Sequence, residues 1–246
     1  MEHVLAGCPA ALHQGRIKWR HDSVLLVLKH HLVRHICAIN AGQVRFSRPN
    51  VLRFRSETGT WWNNGDDAAR LKPVTLRDYL AERSARDWRL TFDLPGNDSF
   101  THHQFPWATG VHTSKRPDIV LWSKAVRVIV CFELTVPSEE RVMDWNAEKA
   151  RKYRELVDAA PDGWRLEVRP FEVGYLGNMA YSMEKQLRAF ALSQQKRRII
   201  RQELEETAAE CSAVLFECRH DPTWNGRSLL AVARPSSIPA EHNHDD

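Results

Sequence analysis

Two carboxylates, Asp118 and Glu133, stand at the outer ends of two apolar segments, and together they could hold a divalent cation. Each lies about seven residues from the junction between Ala125 and Val126, one on either side. An antiparallel hairpin folded at that junction places the two acids nearly opposite one another at its open end. Such close carboxylates raise each other's pKa unless a cation joins them, and Mg²⁺ takes one or two protein carboxylates together with water and phosphate oxygens. The spacing therefore suggests a site for a hard divalent cation.

Glu133 carries the stronger signal because it interrupts a run of apolar residues. Burial of a carboxylate is costly unless the group has a partner. The alternative is purely structural: Asp118 caps the turn after Pro117, and Glu133 pairs with a Lys or an Arg. From spacing alone, both interpretations stay open.

The elements that must position this pair are two short strands, at 118–122 and 126–133. Their length and their content of β-branched residues predict a hairpin whose second strand is buried on both faces and stops before Pro137. Ser138 then predicts the N-cap of a helix with acidic residues in its first turn. That helix is predicted to continue through Tyr153 and to end at Pro161-Asp162-Gly163.

Upstream of the hairpin, apolar residues between 25 and 39 recur at three- and four-residue steps. This periodicity predicts an amphipathic helix with Asp22 or Ser23 as its N-cap. His31 and His35 share one face of it and could bind a metal together. Because no Cys or carboxylate stands nearby at ligand spacing, solvated histidines on the helix surface are the favoured interpretation.

The rest of the chain completes an α/β pattern. The further predicted elements are a strand within 44–54, an exposed loop at 60–67, a short helix within 71–85, a strand at 88–94, a strand at 165–173, two helices within 183–220 and a disordered tail at 234–246. The order of helix, strands, hairpin, helix, strand and helix predicts a mixed sheet flanked by helices, with a C-terminal helical extension.

Composition sets only broad limits on function. The chain has 246 residues, a formal net charge of +4 and a pI near 8.9, which mildly favours a polyanionic partner. Its five cysteines include no C-x-x-C pair, so we expect reduced thiols rather than a disulfide framework. No apolar run approaches the roughly 20 residues that a membrane-spanning helix needs, and no signal sequence is evident. We expect a soluble intracellular protein with no membrane partner.

Three motifs in order resemble the PD-(D/E)XK nuclease superfamily: Arg116-Pro117-Asp118, Glu133-Leu134-Thr135 and Lys149-x-x-Lys152-Tyr153. More narrowly, they resemble the restriction-like endonuclease domain of site-specific non-LTR retrotransposon proteins. The resemblance covers roughly residues 19–177 and includes the upstream segment 19–25. It implies a restriction-endonuclease-like core.

The resemblance also implies roles for single residues. Asp118, Glu133 and the Leu134 carbonyl would hold Mg²⁺ or Mn²⁺. The lysine of the superfamily stands where this chain has Thr135, so Lys149, or else Lys152, would be the catalytic lysine on the next helix. Tyr153 would assist that lysine. Arg116 would bind a substrate phosphate, since a guanidinium matches two oxygens.

The implied organisation is a zinc-knuckle remnant at 1–18, a nuclease core at 19–180, helices at 181–222 and a disordered tail at 223–246. His3 and Cys8 keep the H-x4-C spacing of half a knuckle, so zinc is not expected to bind. The implied activity is hydrolysis of a DNA phosphodiester in the nucleus. The implied partners are DNA, the RNA of the element and the reverse transcriptase portion of the parent polyprotein.

A basic segment and three tryptophans could add nucleic-acid contacts. Lys196, Arg197 and Arg198 could bind phosphates or serve nuclear import, although a solvated helix with alternating charge blocks is an equal alternative. Three tryptophans could stack on unpaired bases, although packing is the favoured alternative for each of them: Trp61, Trp62 and Trp107.

Two other functions compete with the nuclease. The first is a catalytically inactive domain of the same fold that binds nucleic acid without cutting it. The second is a protein-interaction domain built on the helices at 183–220. Fold resemblance alone cannot separate these alternatives, because function depends on the site.

Overall fold

The computed structural model describes residues 4–5, 8–46, 53–55, 61–63, 75–83, 85–94, 115–138, 151–221 and 223–224. Its helices are α1 (Pro9–His13), α2 (Arg16–Asn40), α3 (Leu76–Ala81), α4 (Arg154–Asp158), α5 (Tyr181–Ala189) and α6 (Gln194–Glu217), with a 3₁₀ helix at Cys218–His220. Its strands are β1 (Arg53–Arg55), β2 (Trp61–Asn63), β3 (Arg89–Phe92), β4 (Ile119–Ser123), β5 (Val128–Thr135) and β6 (Arg165–Glu172). Within these residues, no helix combines the length and the apolar character needed to cross a membrane.

A four-stranded sheet in the order β3-β4-β5-β6 forms the centre of the fold. The pairs β3–β4 and β4–β5 are antiparallel, whereas β6 runs parallel to β5. A parallel neighbour requires a crossover connection, and the chain between β5 and β6 includes α4. The predicted α/β class, with a mixed sheet and accompanying helices, is confirmed.

Strand β5 separates two hydrophobic clusters, as its apolar run predicts. Val130 and Phe132 belong to the larger cluster, to which α2, α5 and α6 also contribute. Ile129 and Cys131 belong to a smaller cluster that includes Tyr153 on the other face. Since successive side chains of a strand point to opposite faces, β5 needs apolar residues at every position. Its prediction as a strand buried on both faces is confirmed.

The hairpin of β4 and β5 is also confirmed. Ile119 pairs with Phe132, which centres the hairpin on the predicted junction. Asp87 accepts hydrogen bonds from two backbone N–H groups of the turn, at 2.8 and 3.1 Å. Burial, the largest single influence, raises the pKa of Asp87, but a hydrogen bond from the Ser123 hydroxyl and these two backbone bonds outweigh it and lower the pKa. The second strand starts later than the predicted 126–133 because the turn takes up 124–127.

Helix α2 begins at Arg16, after Gly15 with φ of 71°, so the predicted N-cap at Asp22 or Ser23 is wrong. The first turns of the helix bury polar side chains. Arg16 and Arg20 are 2% and 1% exposed and donate hydrogen bonds to distant backbone carbonyls. A search for apolar periodicity misses a helix start whose buried residues are arginines.

The helix predicted to continue through Tyr153 is interrupted at that residue, so this prediction is wrong. The two residues before Tyr153 are helical, Tyr153 itself has φ of −102° and ψ of 5°, and α4 follows. The tyrosine is fully buried in the smaller cluster, with its hydroxyl directed to β5. Helix α4 ends at Asp158, before the predicted stop at 161–163. The start of the predicted helix, at 139–150, lies outside the described residues.

Most remaining elements match their predictions, with bounds that differ by a few residues. The strand at 88–94, the strand at 165–173, the short helix within 71–85 and the two helices within 183–220 are confirmed. The exposed loop predicted at 60–67 is wrong in part, because Trp61–Asn63 pairs with β1 as a strand, in keeping with the strand propensity of tryptophan. Of the predicted strand within 44–54, residues 53–54 belong to β1, residues 44–46 are not in a strand, and residues 47–52 lie outside the described residues. The tail at 234–246 lies outside the described residues.

The prediction that His31 and His35 are solvated is wrong. His35 is 5% exposed, with Nε2 2.7 Å from the carbonyl oxygen of Phe190. Burial lowers the pKa of His35 and outweighs that hydrogen bond, which raises it. His31 is half-buried, with Nε2 2.8 Å from a carboxylate oxygen of Glu203 on α6. Both residues are covered because α6 and the turn before it pack along α2, a tertiary contact with no local signal.

Candidate active site

The ends of four strands bring acidic residues to one edge of the sheet. The pairing of β4 with β5, continued by one step, sets Asp118 directly opposite Glu133. On the other side of Asp118, the backbone N–H of Asp93 donates to its carbonyl oxygen at 2.9 Å. Glu172 ends β6 at the same edge, and burial raises the pKa of its carboxyl group. The open end of the hairpin therefore lies at the centre of an acidic edge.

Asp118 is held by contacts from two directions. Its Oδ2 accepts a hydrogen bond of 2.8 Å from the backbone N–H of Leu134. The same oxygen lies 3.4 Å from Nε2 of His21, which projects from α2. The side chain of Asp118 is 13% exposed. These contacts fix the carboxylate at the sheet edge while leaving part of it accessible to solvent.

Glu133 is 2% exposed and accepts a hydrogen bond from the hydroxyl of Tyr153. Burial, the charge of Glu133 and this hydrogen bond together raise the pKa of Tyr153 well above its ordinary value. The hydroxyl therefore stays protonated and acts as a donor. The ammonium of Lys152 lies 4.7 Å from the centre of the Tyr153 ring, a favourable cation–π position.

His21 brings a cation to the site. Burial lowers its pKa, but the charge of Asp118 and hydrogen bonds to Asp118 and Asp22 outweigh burial and raise the pKa to about 9. Its Nδ1 lies 3.1 Å from Oδ1 of Asp22, and Lys18 binds that same oxygen at 2.9 Å. At neutral pH His21 is therefore an imidazolium that links Asp22 to Asp118.

The oxygen atoms at this edge fit a hard divalent cation. Asp118 and Glu133 supply two carboxylates, which is the number Mg²⁺ takes in many protein sites. The carbonyl of Thr135 accepts a hydrogen bond from the backbone N–H of Val173, on the β6 side of β5. Carbonyls of successive strand residues point to opposite sides, so the carbonyl of Leu134 points toward β4 and Asp118. In the part of the chain that the structure describes, no three His, Cys, Asp or Glu side chains are arranged around a possible metal position. Protein ligands to a cation here would thus be two carboxylates and a carbonyl.

The other predicted catalytic residues have different outcomes. Lys149 lies outside the described residues. Tyr153 contacts the Glu133 carboxylate directly, and Lys152 lies against the Tyr153 ring. The guanidinium of Arg116 forms an ion pair with Asp93, and its backbone carbonyl lies 3.4 Å from the Tyr153 hydroxyl. Arg116 thus borders the site with its charge directed at the neighbouring strand end.

The three predicted nucleic-acid-binding residues lie in the first turns of α6, whose N-cap is Ser193. Lys196 and Arg198 are exposed. Arg197 is half-buried, with Nε 3.4 Å from a carboxylate oxygen of Glu184 and Nη1 3.3 Å from the carbonyl of Leu192. The basic surface therefore consists of two exposed cations and one cation engaged with α5. Of the three tryptophans, Trp107 lies outside the described residues and the other two belong to β2.

His21, Asp22 and Asp93 are site residues that the sequence did not reveal. His21 and Asp22 belong to the segment 19–25, whose resemblance to the nuclease family was the available signal. The predicted helix start at Asp22 would make that residue an N-cap, so neither His21 nor Asp22 was predicted to contact the acidic edge. Asp93 had no signal beyond its position after a predicted strand.

Comparison with models of known protein families and with curated protein sequences gives no match for this chain.

Proposed function

We propose that this chain is a Mg²⁺-dependent DNA endonuclease with a restriction-endonuclease-like core. The observation that carries the proposal is the position of Asp118 opposite Glu133 on adjacent strands, with the Leu134 carbonyl directed to the same place. Two carboxylates this close favour a bound cation over mutual repulsion. Mn²⁺ would serve as well, because its preference for oxygen ligands is similar.

The residues around the pair have complementary roles in this proposal. When bound, Mg²⁺ would polarise the phosphoryl oxygen and lower the pKa of a coordinated water. Tyr153 holds the Glu133 carboxylate in place, and Lys152 or Lys149 supplies positive charge for the phosphate as it becomes more negative. Arg116 binds a neighbouring phosphate after exchanging its ion pair with Asp93.

The identity of the substrate comes from the motif resemblance together with the basic surface. The nuclease family implied by the motifs cuts DNA and derives from retrotransposon polyproteins that act in the nucleus. Lys196 and Arg198 offer exposed positive charge for a polyanion. The same resemblance makes element RNA and the reverse transcriptase portion further partners in this proposal.

The test is nicking of supercoiled plasmid by the purified chain, with Mg²⁺ and with a chelator. Wild-type protein should nick only with the metal. Asp118→Asn should reduce the rate by at least about 100-fold, because loss of one electrostatic contributor in an active site typically costs that much. The matched control is Asp158→Asn, an exposed carboxylate on α4, which should nick at the wild-type rate.

Thermal unfolding of both variants shows whether they retain the fold. Metal-dependent nicking by Asp118→Asn at the wild-type rate would falsify the proposed site. Nicking that persists in the chelator would contradict the role of the metal.

A second candidate function is nucleic-acid binding without cleavage. It is favoured by the protein partners of both carboxylates, since Asp118 binds His21 and Leu134 and Glu133 binds Tyr153. Such contacts are also what a purely structural buried network would need. Salt-dependent DNA binding with no nicking in Mg²⁺ or Mn²⁺ would support this alternative.

A further inference from the structure

Helix α5 exposes an aromatic ring at its start and cations farther along. Tyr181 is 81% exposed, an unusual position for a large ring in a described region that buries most of its aromatic residues. Lys185 and Arg188 follow at helical spacing and are exposed as well. Residues at i, i+4 and i+7 share one face of a helix, so the three side chains form a single stripe.

The start of this stripe is fixed to the acidic edge of the sheet. The backbone N–H of Ala180 donates to the carbonyl of Glu172 at 3.2 Å, and the hydroxyl of Ser182 donates to its carboxylate at 2.6 Å. Tyr181 lies between Ala180 and Ser182 in the chain. Glu172 ends β6, which is two strands from Asp118, and neighbouring strands are about 4.8 Å apart. The lateral offset from β6 to Asp118 is therefore roughly 10 Å.

The loop that leads into Tyr181 is well anchored. The backbone N–H of Gly174 donates to Asn178 at 2.8 Å, and that of Tyr175 donates to Pro137 at 2.9 Å. Gly177 approaches α6 so closely that a Cβ there would lie 2.6 Å from the carbonyl oxygen of Glu205. Because the backbone next to Tyr181 is anchored, little backbone freedom is lost when the ring binds a ligand, which favours its use as a contact.

Positive charge continues from α5 into α6. The segment 184–198 contains five basic residues and one acidic residue, Glu184, whose carboxylate pairs with Arg188 at 2.7 Å and with Arg197 at 3.4 Å. Arg197 contacts Glu184, so the first turns of α6 lie beside α5. Lys196 and Arg198 are exposed in those turns and, being two residues apart, lie on different sides of α6.

We propose that Tyr181, Lys185 and Arg188 form a strand-binding surface for an unpaired DNA strand, with the basic first turns of α6 beside it. The cations neutralise successive phosphates, and Tyr181 stacks on a base beside the acidic edge. A single strand fits better than a duplex because only an unpaired base offers its face to a lone ring. This inference rests on the proposed function and specifies its substrate as DNA with an unpaired segment near the cleavage position.

The test is binding of a labelled single-stranded oligonucleotide, and of the duplex of the same sequence, to the full chain in a chelator. Tyr181→Ala should weaken single-strand binding at least about fivefold, the lower range for stacking of one base on an aromatic ring. Tyr181→Phe keeps the ring and should bind within about twofold of wild type, and duplex affinity should be unchanged in both variants.

A second pair of variants tests the cations. The double variant Lys185→Ala/Arg188→Ala should reduce the slope of log Kd against log salt by roughly one, because fewer phosphates are neutralised. The control is Lys124→Ala, an exposed lysine in the β4–β5 turn at the opposite end of the sheet, which should keep the wild-type slope.

Three results would overturn the inference: wild-type affinity in Tyr181→Ala, an equal loss in Tyr181→Phe, or an equal loss for duplex and single strand. Because binding is measured without metal, these failures leave cleavage by Asp118 and Glu133 untouched. If the nicking test fails, the measured difference in affinity between single-stranded and duplex DNA is still valid.

Discussion

At the scale of single residues, the site depends on how one buried carboxylate is stabilised. Glu133 lies in the middle of the sheet edge at 2% exposure, where an ion without partners would be strongly unfavourable. The hydroxyl of Tyr153 donates to it, and the ring of Tyr153 fills the smaller hydrophobic cluster. Hydrogen bonds to ionised groups are stronger than those between neutral groups, so this contact contributes to both the fold and the site.

Tyr153→Phe should therefore destabilise the protein by about 1–3 kcal/mol, because it removes the donor and leaves the Glu133 carboxylate with one partner fewer. The measurement is the free energy of unfolding in urea. Tyr79→Phe is the matched control: the Tyr79 hydroxyl accepts an exposed hydrogen bond from Arg165, and its loss should change stability by less than about 0.5 kcal/mol. Equal effects of the two substitutions would contradict the importance of the Glu133 contact.

At the scale of elements, two connections set the shape of the sheet edge. The break before α4 allows Tyr153 to enter the smaller cluster. The loop between β6 and α5 is held by its own hydrogen bonds and by close packing of Gly177 on α6. Glycine is required at that position for two reasons, a φ of +96° and the lack of room for a Cβ.

Gly177→Ala should consequently cost more than an alanine at a glycine that has positive φ but open surroundings. Gly42 is that control, with φ of +73° and no atom within 4 Å of the place that a Cβ would occupy. Gly42→Ala should cost about 1–2 kcal/mol from backbone strain alone. Gly177→Ala should cost about 1–3 kcal/mol more than Gly42→Ala, because its Cβ would be too close to α6. Similar midpoints of thermal unfolding for the two variants would show that the loop does not pack tightly on α6.

At the scale of the whole molecule, the first turns of α2 join parts of the chain that are far apart in sequence. Arg20 donates to the carbonyl of Leu5 at 2.9 Å, to that of Val136 at 3.1 Å and to the hydroxyl of Ser212 at 3.1 Å. One residue further along, His21 connects the same helix to Asp118. Contacts between α2 and the sheet edge therefore contribute to global stability as well as to the site.

The protonation of His21 makes this stability depend on pH. Its pKa is raised from 6.5 to about 9 in the folded chain, so the imidazolium stabilises the fold fully below pH 6.5, and the contribution disappears as pH rises through about 9. The shift corresponds to about 3 kcal/mol. In chelator, the free energy of unfolding should fall by about that amount more in wild type than in His21→Gln across this range.

The control for that measurement is His13→Gln, an exposed histidine at the end of α1, which should keep the wild-type pH profile. An identical profile for His21→Gln and wild type would show that the contact with Asp118 does not hold the proton in the folded state.

Local pattern was sufficient to predict the hairpin and its centre. The apolar runs on either side of the junction predicted that Asp118 and Glu133 lie nearly opposite one another, and the strand register that the structure shows sets them directly opposite. The class of the fold followed in the same way from the alternation of strand and helix patterns. Neither pattern specifies which side chains surround the two acids.

The tertiary structure determines which side chains surround Asp118 and Glu133. His21 reaches Asp118 because α2 begins at Arg16, with buried arginines whose partners lie up to about 200 residues away, as with the bond from Arg16 to Asp221. Tyr153 reaches Glu133 because the helix breaks at that residue, although its neighbours favour helix. Both features depend on polar contacts between distant segments, which leave no periodicity in the sequence. The sequence by itself therefore determined the pair of acids and the strands that carry them, and only the packing of α2 and of the segment around Tyr153 determined how each acid is held.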